Sequence, residues 1–187
     1  MCVAFSANPR RITKNLRSYA TLSVLGPHVT TASVAGFETI LTLNDETVTA
    51  GLGARIAAAL RPGDVVALSG ELGAGKTALA RAILRALGVT GHVPSPTFTL
   101  VQSYETPRLV VHHFDLYRIE HEQELRELGL DDAKEDGAVL IEWPDRGMPK
   151  AWRSEALSVA LSATSETARQ ATIAGPSRWS SVIGPSA

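Results

Sequence analysis

The chain of 187 residues is 44% hydrophobic and 20% charged, which is typical of one globular domain with terminal extensions and leaves little room for a second core. Residues 1–37 contain four basic side chains and no acids, so the remainder carries 14 basic against 19 acidic residues. The net charge of that remainder is negative, which is the wrong sign for a surface that binds nucleic acid directly. The single cysteine, Cys2, excludes an internal disulfide and a multi-cysteine metal site, which agrees with a reducing cytoplasm. No apolar run reaches the ~18 residues of a membrane helix, so we expect a cytoplasmic protein without a membrane span.

Both ends of the chain are expected to lie outside the folded domain. Residues 1–36 are rich in Ser, Thr and Ala without sustained periodicity, which is typical of a disordered extension, a wrongly assigned start or an organelle transit peptide. We favour the first two interpretations because compositional signals of this kind are weak. Residues 175–187 are interpreted as a Ser/Pro-containing tail, which leaves 37–174 as the folded domain.

The domain is expected to begin with a strand and a helix. Residues 37–43 alternate in polarity as a strand does, and the Asn44-Asp45-Glu46 sequence that follows is typical of a helix start. Apolar side chains then recur at helical spacing until Arg61-Pro62-Gly63 ends the run.

Residues 70–77, Gly-Glu-Leu-Gly-Ala-Gly-Lys-Thr, fit the phosphate-binding pattern G-x-x-x-x-G-K-[ST]. They follow the apolar run 64–69 and precede a segment of helical period, so the setting is strand, loop and helix. The glycines allow backbone N–H groups to surround a phosphate chain, while Lys76 would reach the β- and γ-phosphates and Thr77 would ligate magnesium. The alternative is a glycine-rich turn with a chance lysine, which the flanking strand and helix disfavour.

The next segment, 93–101, places prolines on both sides of Ser95. Proline fixes φ and restricts the preceding residue to extended conformations, so we expect a stiff, extended segment that presents the hydroxyls of Ser95 and Thr97. The start of an ordinary strand is an equally good interpretation of these residues alone.

Two buried strands are predicted to end in carboxylates. Residues 109–114 are followed by Asp115, and residues 138–141 are followed by Glu142. A carboxylate at the end of an apolar strand can hold magnesium, directly or through water, or orient the attacking nucleophile in phosphoryl transfer. The alternative is an acidic residue in a turn, which the phosphate loop makes less attractive.

Three further patterns carry less functional information. His112 and His113 are adjacent in a predicted strand and point to opposite faces, and no third ligand follows at a typical interval, so no zinc site is predicted. Residues 120–127 indicate a short helix with a solvated acidic face or, alternatively, a docking surface for a basic partner. Residues 156–173 alternate as an antiparallel strand pair would.

Four motifs together resemble one protein family in order and spacing. They are the phosphate loop 70–77, Ser-Pro-Thr-Phe-Thr-Leu-Val at 95–101, His-Phe-Asp-Leu-Tyr-Arg at 113–118 and Ile-Glu-Trp-Pro at 141–144. The resemblance is to TsaE (YjeE), small ATPases of bacterial tRNA threonylcarbamoyladenosine biosynthesis, and it covers residues 38–172 approximately. It implies an α/β, P-loop NTPase-like three-layer fold with a mostly parallel central sheet and antiparallel additions.

The resemblance also implies the activity and the partners. A TsaE protein would hydrolyse ATP with Mg²⁺ and act on a TsaB-TsaD complex, in which TsaD transfers the threonylcarbamoyl group to the adenosine beside the anticodon. The acidic domain agrees with contact to tRNA only through those partners. Slow turnover by the isolated chain is expected, because no residue of the phosphate loop is an obvious arginine finger.

Carried over by motif, the implied site has three parts. The catalytic residues would be Lys76, Asp115 and Glu142, and the metal ligands would be Thr77, Asp115 and Glu142. The remaining nucleotide contacts would be Thr49, Gly73, Ala74, Gly75, Ala78, Ser95, Thr97, Trp143 and Arg169. Ser95 to Thr97 would sense the γ-phosphate, and Trp143 would lie near the nucleotide or be an ordinary buried aromatic residue. Ala78 departs from the family, since many members have a second threonine there.

Two other functions share the phosphate loop. A small-molecule kinase of the P-loop class needs an acceptor pocket and usually an arginine-rich lid, and the span between Thr97 and Glu142 is short for both. A nucleotide-dependent adaptor without catalysis would bind ATP and use it only to drive assembly.

Overall fold

The computed structural model describes residues 36–183, which form seven strands, five α-helices and three short 3₁₀ turns. The strands are β1 (Gly36–Leu43), β2 (Val65–Ser69), β3 (Val101–Glu105), β4 (Val110–Asp115), β5 (Ala138–Glu142), β6 (Leu157–Ala163) and β7 (Arg169–Pro176). The helices are α1 (Glu46–Ala59), α2 (Lys76–Ala86), α3 (Glu122–Glu127), α4 (Leu130–Asp136) and α5 (Ser180–Ile183). Short 3₁₀ turns occupy Pro144–Arg146, Lys150–Ser154 and Ser177–Trp179.

The seven strands form one mixed sheet in the order β1-β7-β6-β2-β5-β4-β3. The four central strands, β6, β2, β5 and β4, are parallel, whereas β7, β1 and β3 join antiparallel. This confirms the expected α/β class with a mostly parallel centre and antiparallel additions. The parallel strands end at one edge of the sheet, which is where open α/β sheets bind ligands.

Buried side chains pack on both faces of the sheet. Val66 and Leu68 belong to a cluster with α1, α2 and α5, whereas Val65 and Ala67 belong to a second cluster with α4. Because successive side chains of a strand point to opposite faces, this division places helices on both sides of β2. The fold therefore has three layers.

Local chemistry explains where α1 begins and how closely it packs. The Asp45 carboxylate accepts a hydrogen bond of 2.9 Å from the Val48 N–H and so caps the helix, as the sequence predicts. Gly53 faces α2 so closely that a Cβ there would lie 2.6 Å from the Ala82 Cβ. This glycine therefore brings α1 against the helix that follows the phosphate loop.

The segment before β3 corrects one prediction. Residues 96–99 form a turn rather than the expected extended rod, and the Leu100 N–H donates to the Pro96 carbonyl at 2.6 Å. Leu100 then adopts a φ of +63°, which non-glycine residues rarely do, before β3 starts at Val101. The prolines stiffen the segment, but the hydrogen bond across the turn folds it back.

The end of the domain also lies later than the boundary expected at residue 174. Strand β7 runs to Pro176, and the two short helices after it bury Trp179 and Ile183 completely. Residues 175–183 therefore belong to the folded domain, because the Trp179 and Ile183 side chains remove a large apolar area from water. The expected extension before residue 36 and the last four residues of the expected tail lie outside the described residues.

The other predicted elements are present. The acidic segment 120–127 contains α3, and residues 156–173 form most of the β6-β7 pair. Among the residues that the structure describes, no helix has the length and apolar character needed to cross a membrane.

Candidate nucleotide site

The phosphate loop connects β2 to α2, with three glycines at positive φ. Gly70, Gly73 and Gly75 have φ values of +132°, +80° and +105°, which non-glycine residues rarely adopt. Gly70 is also sterically constrained, since a Cβ there would lie 2.2 Å from the Leu161 carbonyl oxygen of β6. The loop is therefore shaped by its own glycines and by contact with the neighbouring strand.

Lys76 lies at the first position of α2 and is only 4% exposed. Its Nζ donates to the Gly70 and Glu71 carbonyls at 2.8 Å each and lies 3.9 Å from the centroid of the Trp143 ring. Burial lowers the pKa of the ammonium group below its ordinary value, and the nearby carboxylates of Glu142 and Asp115 oppose that shift. The lysine is thus held inside the loop, next to the space for a phosphate.

Thr77 and Glu142 meet at the start of α2. The Thr77 hydroxyl donates to Oε2 of Glu142 at 2.9 Å, and Oε1 of the same carboxylate lies 2.9 Å from Nε2 of His113. Glu142 is 2% exposed at the carboxyl end of β5. Two of the three predicted metal ligands are therefore in direct contact, and the Glu142 carboxylate is held on both oxygens.

Asp115 lies beside Glu142 in the register of β4 and β5. Its Oδ2 accepts from the Thr97 hydroxyl at 2.7 Å, and its Oδ1 accepts from the Tyr117 N–H at 3.0 Å. The Ser95 hydroxyl lies 2.8 Å from that of Thr97. The turn at 96–99 thus brings the two predicted hydroxyls onto the predicted carboxylate.

Trp143 follows Glu142 with a φ of +59°. Its backbone N–H donates to the Leu68 carbonyl at 3.1 Å. Its half-buried ring packs over Lys76 and against Tyr117, at 4.9 Å between the two aromatic ring centroids. A strained backbone of this kind persists only where surrounding contacts fix it. The tryptophan therefore forms a wall of the site as well as packing against the core.

These groups line a cavity of about 270 Å³. The predicted residues in its wall are Gly73, Gly75, Lys76, Thr77, Ala78, Ser95, Thr97, Asp115, Glu142 and Trp143. Leu72 and Tyr117 also line it, although the sequence reasoning gave them no role. Tyr117 lies within the His-Phe-Asp-Leu-Tyr-Arg motif, which was the available signal for it.

A second cavity of about 600 Å³ shares Gly75 and Ala78 with the first, so the two adjoin at the phosphate loop. Thr49, Ala74 and Arg169 line it, together with Asp45 and Thr167, which the sequence reasoning did not assign to a site. This size and position suit the nucleoside part of a nucleotide whose phosphates enter the loop.

The polar groups of Thr49 and Arg169 are bound to backbone in this structure. The Thr49 hydroxyl donates to the Asp45 carbonyl at 3.0 Å. Nη1 of Arg169 donates to the carbonyls of Ser165, Glu166 and Ala168 at 3.0 to 3.2 Å. The arginine thus supports the β6-β7 hairpin that forms one wall of the second cavity.

The donor set at the phosphate loop fits magnesium. The Thr77 hydroxyl and the carboxylates of Glu142 and Asp115 are hard oxygen donors, and Mg²⁺ usually takes one or two carboxylates plus phosphate oxygens and waters. Residues 36–183 contain no group of three or more His, Cys, Asp or Glu side chains that could hold a metal. A magnesium ion here would therefore share its coordination with a bound phosphate.

Comparison with known proteins gives one consistent result. Residues 43–171 match the model of the family described as "Threonylcarbamoyl adenosine biosynthesis protein TsaE". The chain is 41% identical over 107 residues to a tRNA threonylcarbamoyladenosine biosynthesis protein TsaE of Rickettsia felis, covering 57% of this chain and 63% of that protein. A protein of the same name from a Nostoc species is 39% identical over 136 residues, covering 70% of this chain and 82% of the relative.

A solved structure is similar as well. The crystal structure of Bacillus subtilis YdiB aligns with a TM-score of 0.64 at 26% identity, covering 79% of this chain and 93% of that chain. The P-loop NTPase-like fold expected from the motifs is thus confirmed.

Proposed function

The chain belongs to the TsaE family, and we propose that it is a magnesium-dependent ATPase whose hydrolysis allows repeated threonylcarbamoyl modification of the adenosine beside the tRNA anticodon. The observation that carries the ATPase part is the contact of Thr77 with Glu142 at the mouth of a glycine loop, with Asp115 alongside. This combination of loop, hydroxyl and paired carboxylates is what phosphoryl transfer from a nucleotide requires.

The residues divide the chemistry between binding and hydrolysis. The amides of the loop and Lys76 would bind the β- and γ-phosphates and stabilise the charge that spreads over the transferred group. Thr77 and Glu142 would hold magnesium, which neutralises phosphate charge when it is bound. Asp115 would bind the ion through water or orient the attacking water, which approaches the γ-phosphate in line with the leaving oxygen.

The segment 95–97 supports partner control of this reaction. The Thr97 hydroxyl donates to the Asp115 carboxylate and the Ser95 hydroxyl contacts that of Thr97, so movement of the turn would change the environment of Asp115 directly. A partner protein that binds the turn could thereby alter the hydrolysis rate. If the measured turnover were the same with and without the partners, this part of the proposal would be wrong.

The proposed partners are a TsaB-TsaD complex, with tRNA bound only by them. The acidic balance of residues 38–187 supports this division, because direct tRNA binding needs an excess of positive charge. The cytoplasmic location expected from the sequence stays a prediction.

The decisive experiment combines this chain with candidate TsaB and TsaD, ATP, the threonylcarbamoyl donor and an excess of tRNA. We expect many rounds of modification with the chain present and at most one round without it. Glu142→Ala should retain nucleotide binding and lose the repeated rounds. Asp145→Ala is the matched control, because that carboxylate is exposed, lies three residues further along the chain and pairs with Arg153 at 3.3 Å.

The same assay separates the two alternatives. A small-molecule kinase would produce a phosphorylated acceptor when it is incubated with ATP and a metabolite pool. An adaptor without catalysis would support repeated modification with a non-hydrolysable ATP analogue. Either result would replace the ATPase proposal.

A further inference from the structure

His113 is a completely buried histidine next to the proposed metal ligands. Its side chain is 0% exposed, and its Nε2 lies 2.9 Å from Oε1 of Glu142. A carboxylate oxygen accepts hydrogen bonds in its ionised form, so the geometry assigns the hydrogen to Nε2. His113 therefore donates to Glu142 from inside the core.

The rest of the imidazole ring makes no polar contact with the described residues. Nδ1 of His113 is buried without a hydrogen-bond partner there. A buried polar nitrogen costs free energy, so a leucine would fill the same apolar position more favourably if packing alone mattered. The role of this histidine is therefore expected to lie in its contact with Glu142.

The contact belongs to a chain of three side chains across three elements. His113 in β4 binds one oxygen of Glu142 in β5, and Thr77 in α2 binds the other. Rotation of the carboxylate away from this position would leave the buried Nε2–H without an acceptor, which is unfavourable. The histidine thus holds the Glu142 carboxylate in the orientation in which one oxygen meets His113 and the other meets Thr77.

We propose that His113 is the positioning residue that orients Glu142 toward Thr77 and so preforms the magnesium site before nucleotide binds. The inference rests on the proposed function, since it concerns the same ion. Groups behind the ligands of metal sites commonly act in this way, and their removal typically reduces metal affinity about 10- to 100-fold.

The adjacent histidine provides a matched control. His112 lies in the same strand but points to the opposite face, where Nδ1 lies 2.8 Å from the Ser103 hydroxyl and Nε2 lies 3.0 Å from Asp136. Substitution of His112 therefore changes the same strand and the same residue type without touching Glu142.

The test measures Mn²⁺ binding by electron paramagnetic resonance on the full chain with a non-hydrolysable ATP analogue. We expect His113→Leu to weaken Mn²⁺ binding about 10- to 100-fold, whereas His112→Leu leaves it within about twofold. Binding of the same analogue in EDTA should stay within about twofold in both variants, because no metal is then involved. Unchanged Mn²⁺ affinity in His113→Leu would overturn the proposal. A loss of analogue binding in EDTA as large as the loss of Mn²⁺ binding would overturn it too.

A second pair of variants covers the case in which His113→Leu does not fold. The longer amide of His113→Gln can place an N–H near the position of Nε2, whereas the amide of His113→Asn is too short to reach Glu142. We expect the glutamine variant to bind Mn²⁺ nearly as the unmodified chain does and the asparagine variant to bind it more weakly. Equal affinities in these two variants would also overturn the positioning role.

The proposed function can fail separately. If the unmodified chain binds Mn²⁺ with the analogue and hydrolyses ATP while every His113 variant behaves normally, only the positioning role is wrong. If the unmodified chain binds neither nucleotide nor Mn²⁺, the ATPase proposal itself is wrong and the inference is overturned with it.

Discussion

The two adjoining cavities differ in how their polar groups are held. At the phosphate end, Lys76, Asp115 and Glu142 are at most 4% exposed and hydrogen-bonded. In the second cavity, Asp45 is exposed, Thr49 and Arg169 are half-buried, and their side chains bind mainly to backbone. Buried hydrogen bonds thus hold the charged groups in place where phosphate chemistry is proposed, whereas the wall of the second cavity, the proposed nucleoside end, is held by its own main chain. Substitutions should therefore have large effects at the first end and small effects at the second.

The largest effect is expected from Lys76→Ala at the phosphate end. Loss of a buried, hydrogen-bonded cation should weaken ATP binding by about 4 kcal/mol, or about 1000-fold. Isothermal calorimetry or Trp143 emission would measure the affinity, with exposed Lys150→Ala as the control. An ATP affinity within about threefold of that of the unmodified chain would show that Lys76 does not make the phosphate end the stronger binding region.

The boundary between the loop and β6 is tested by two glycine substitutions. Gly70→Ala should lower the free energy of unfolding by about 3 kcal/mol, because its Cβ would strike the Leu161 carbonyl in addition to the backbone strain. Gly73→Ala should cost only about 1 kcal/mol, since its φ is also positive but no atom lies within 4 Å of the added Cβ. Urea unfolding measures both values, and equal losses would show that contact with β6 does not shape the loop.

Asp115→Asn tests hydrolysis separately from binding. The amide keeps the shape of the side chain but removes its charge, so we expect kcat to fall about 100-fold, or about 2.7 kcal/mol, with ATP affinity within about threefold. Steady-state phosphate release in the presence of the partner proteins measures the rate, and Asp145→Asn serves as the exposed control. A parallel loss of affinity and rate would mean that Asp115 contributes to ground-state binding.

The smallest effect is expected at the nucleoside end, from Arg169→Gln. Loss of the guanidinium leaves three hairpin carbonyls without this donor, and solvent can replace it at this half-buried position. We expect ATP affinity to fall about fivefold, or about 1 kcal/mol, against no change for exposed Arg153→Gln. A loss as large as that of Lys76→Ala would reverse the comparison between the two ends.

Much of the phosphate end was predictable because its geometry is local or follows from parallel strands. The motif at 70–77 specifies strand, loop and helix by itself, and carboxylates at the ends of adjacent parallel strands must lie side by side. The structure accordingly places Thr77, Asp115 and Glu142 together, as the sequence reasoning expected. Their roles toward ATP and magnesium stay predictions.

The errors share a different cause. Within the expected rod at 93–101, residues 96–99 form a turn, and in it Thr97 contacts Asp115, which is 18 positions further along the chain. Residues 175–183 of the expected tail belong to the folded domain because Trp179 packs with residues from distant elements. Likewise, nothing in the residues around His113 indicates that its ring reaches Glu142, 29 positions later.

The amino-acid order alone determined the phosphate loop, the succession of strands and helices and the carboxylates at the strand ends, because glycine conformation, helix capping and polarity period act between near neighbours. Only the tertiary structure decided how the Glu142 carboxylate is oriented between His113 and Thr77, which group the hydroxyls before β3 contact and how far the folded domain extends. Those features depend on contacts between residues that are distant in the chain, whose energies exist only once the sheet has assembled.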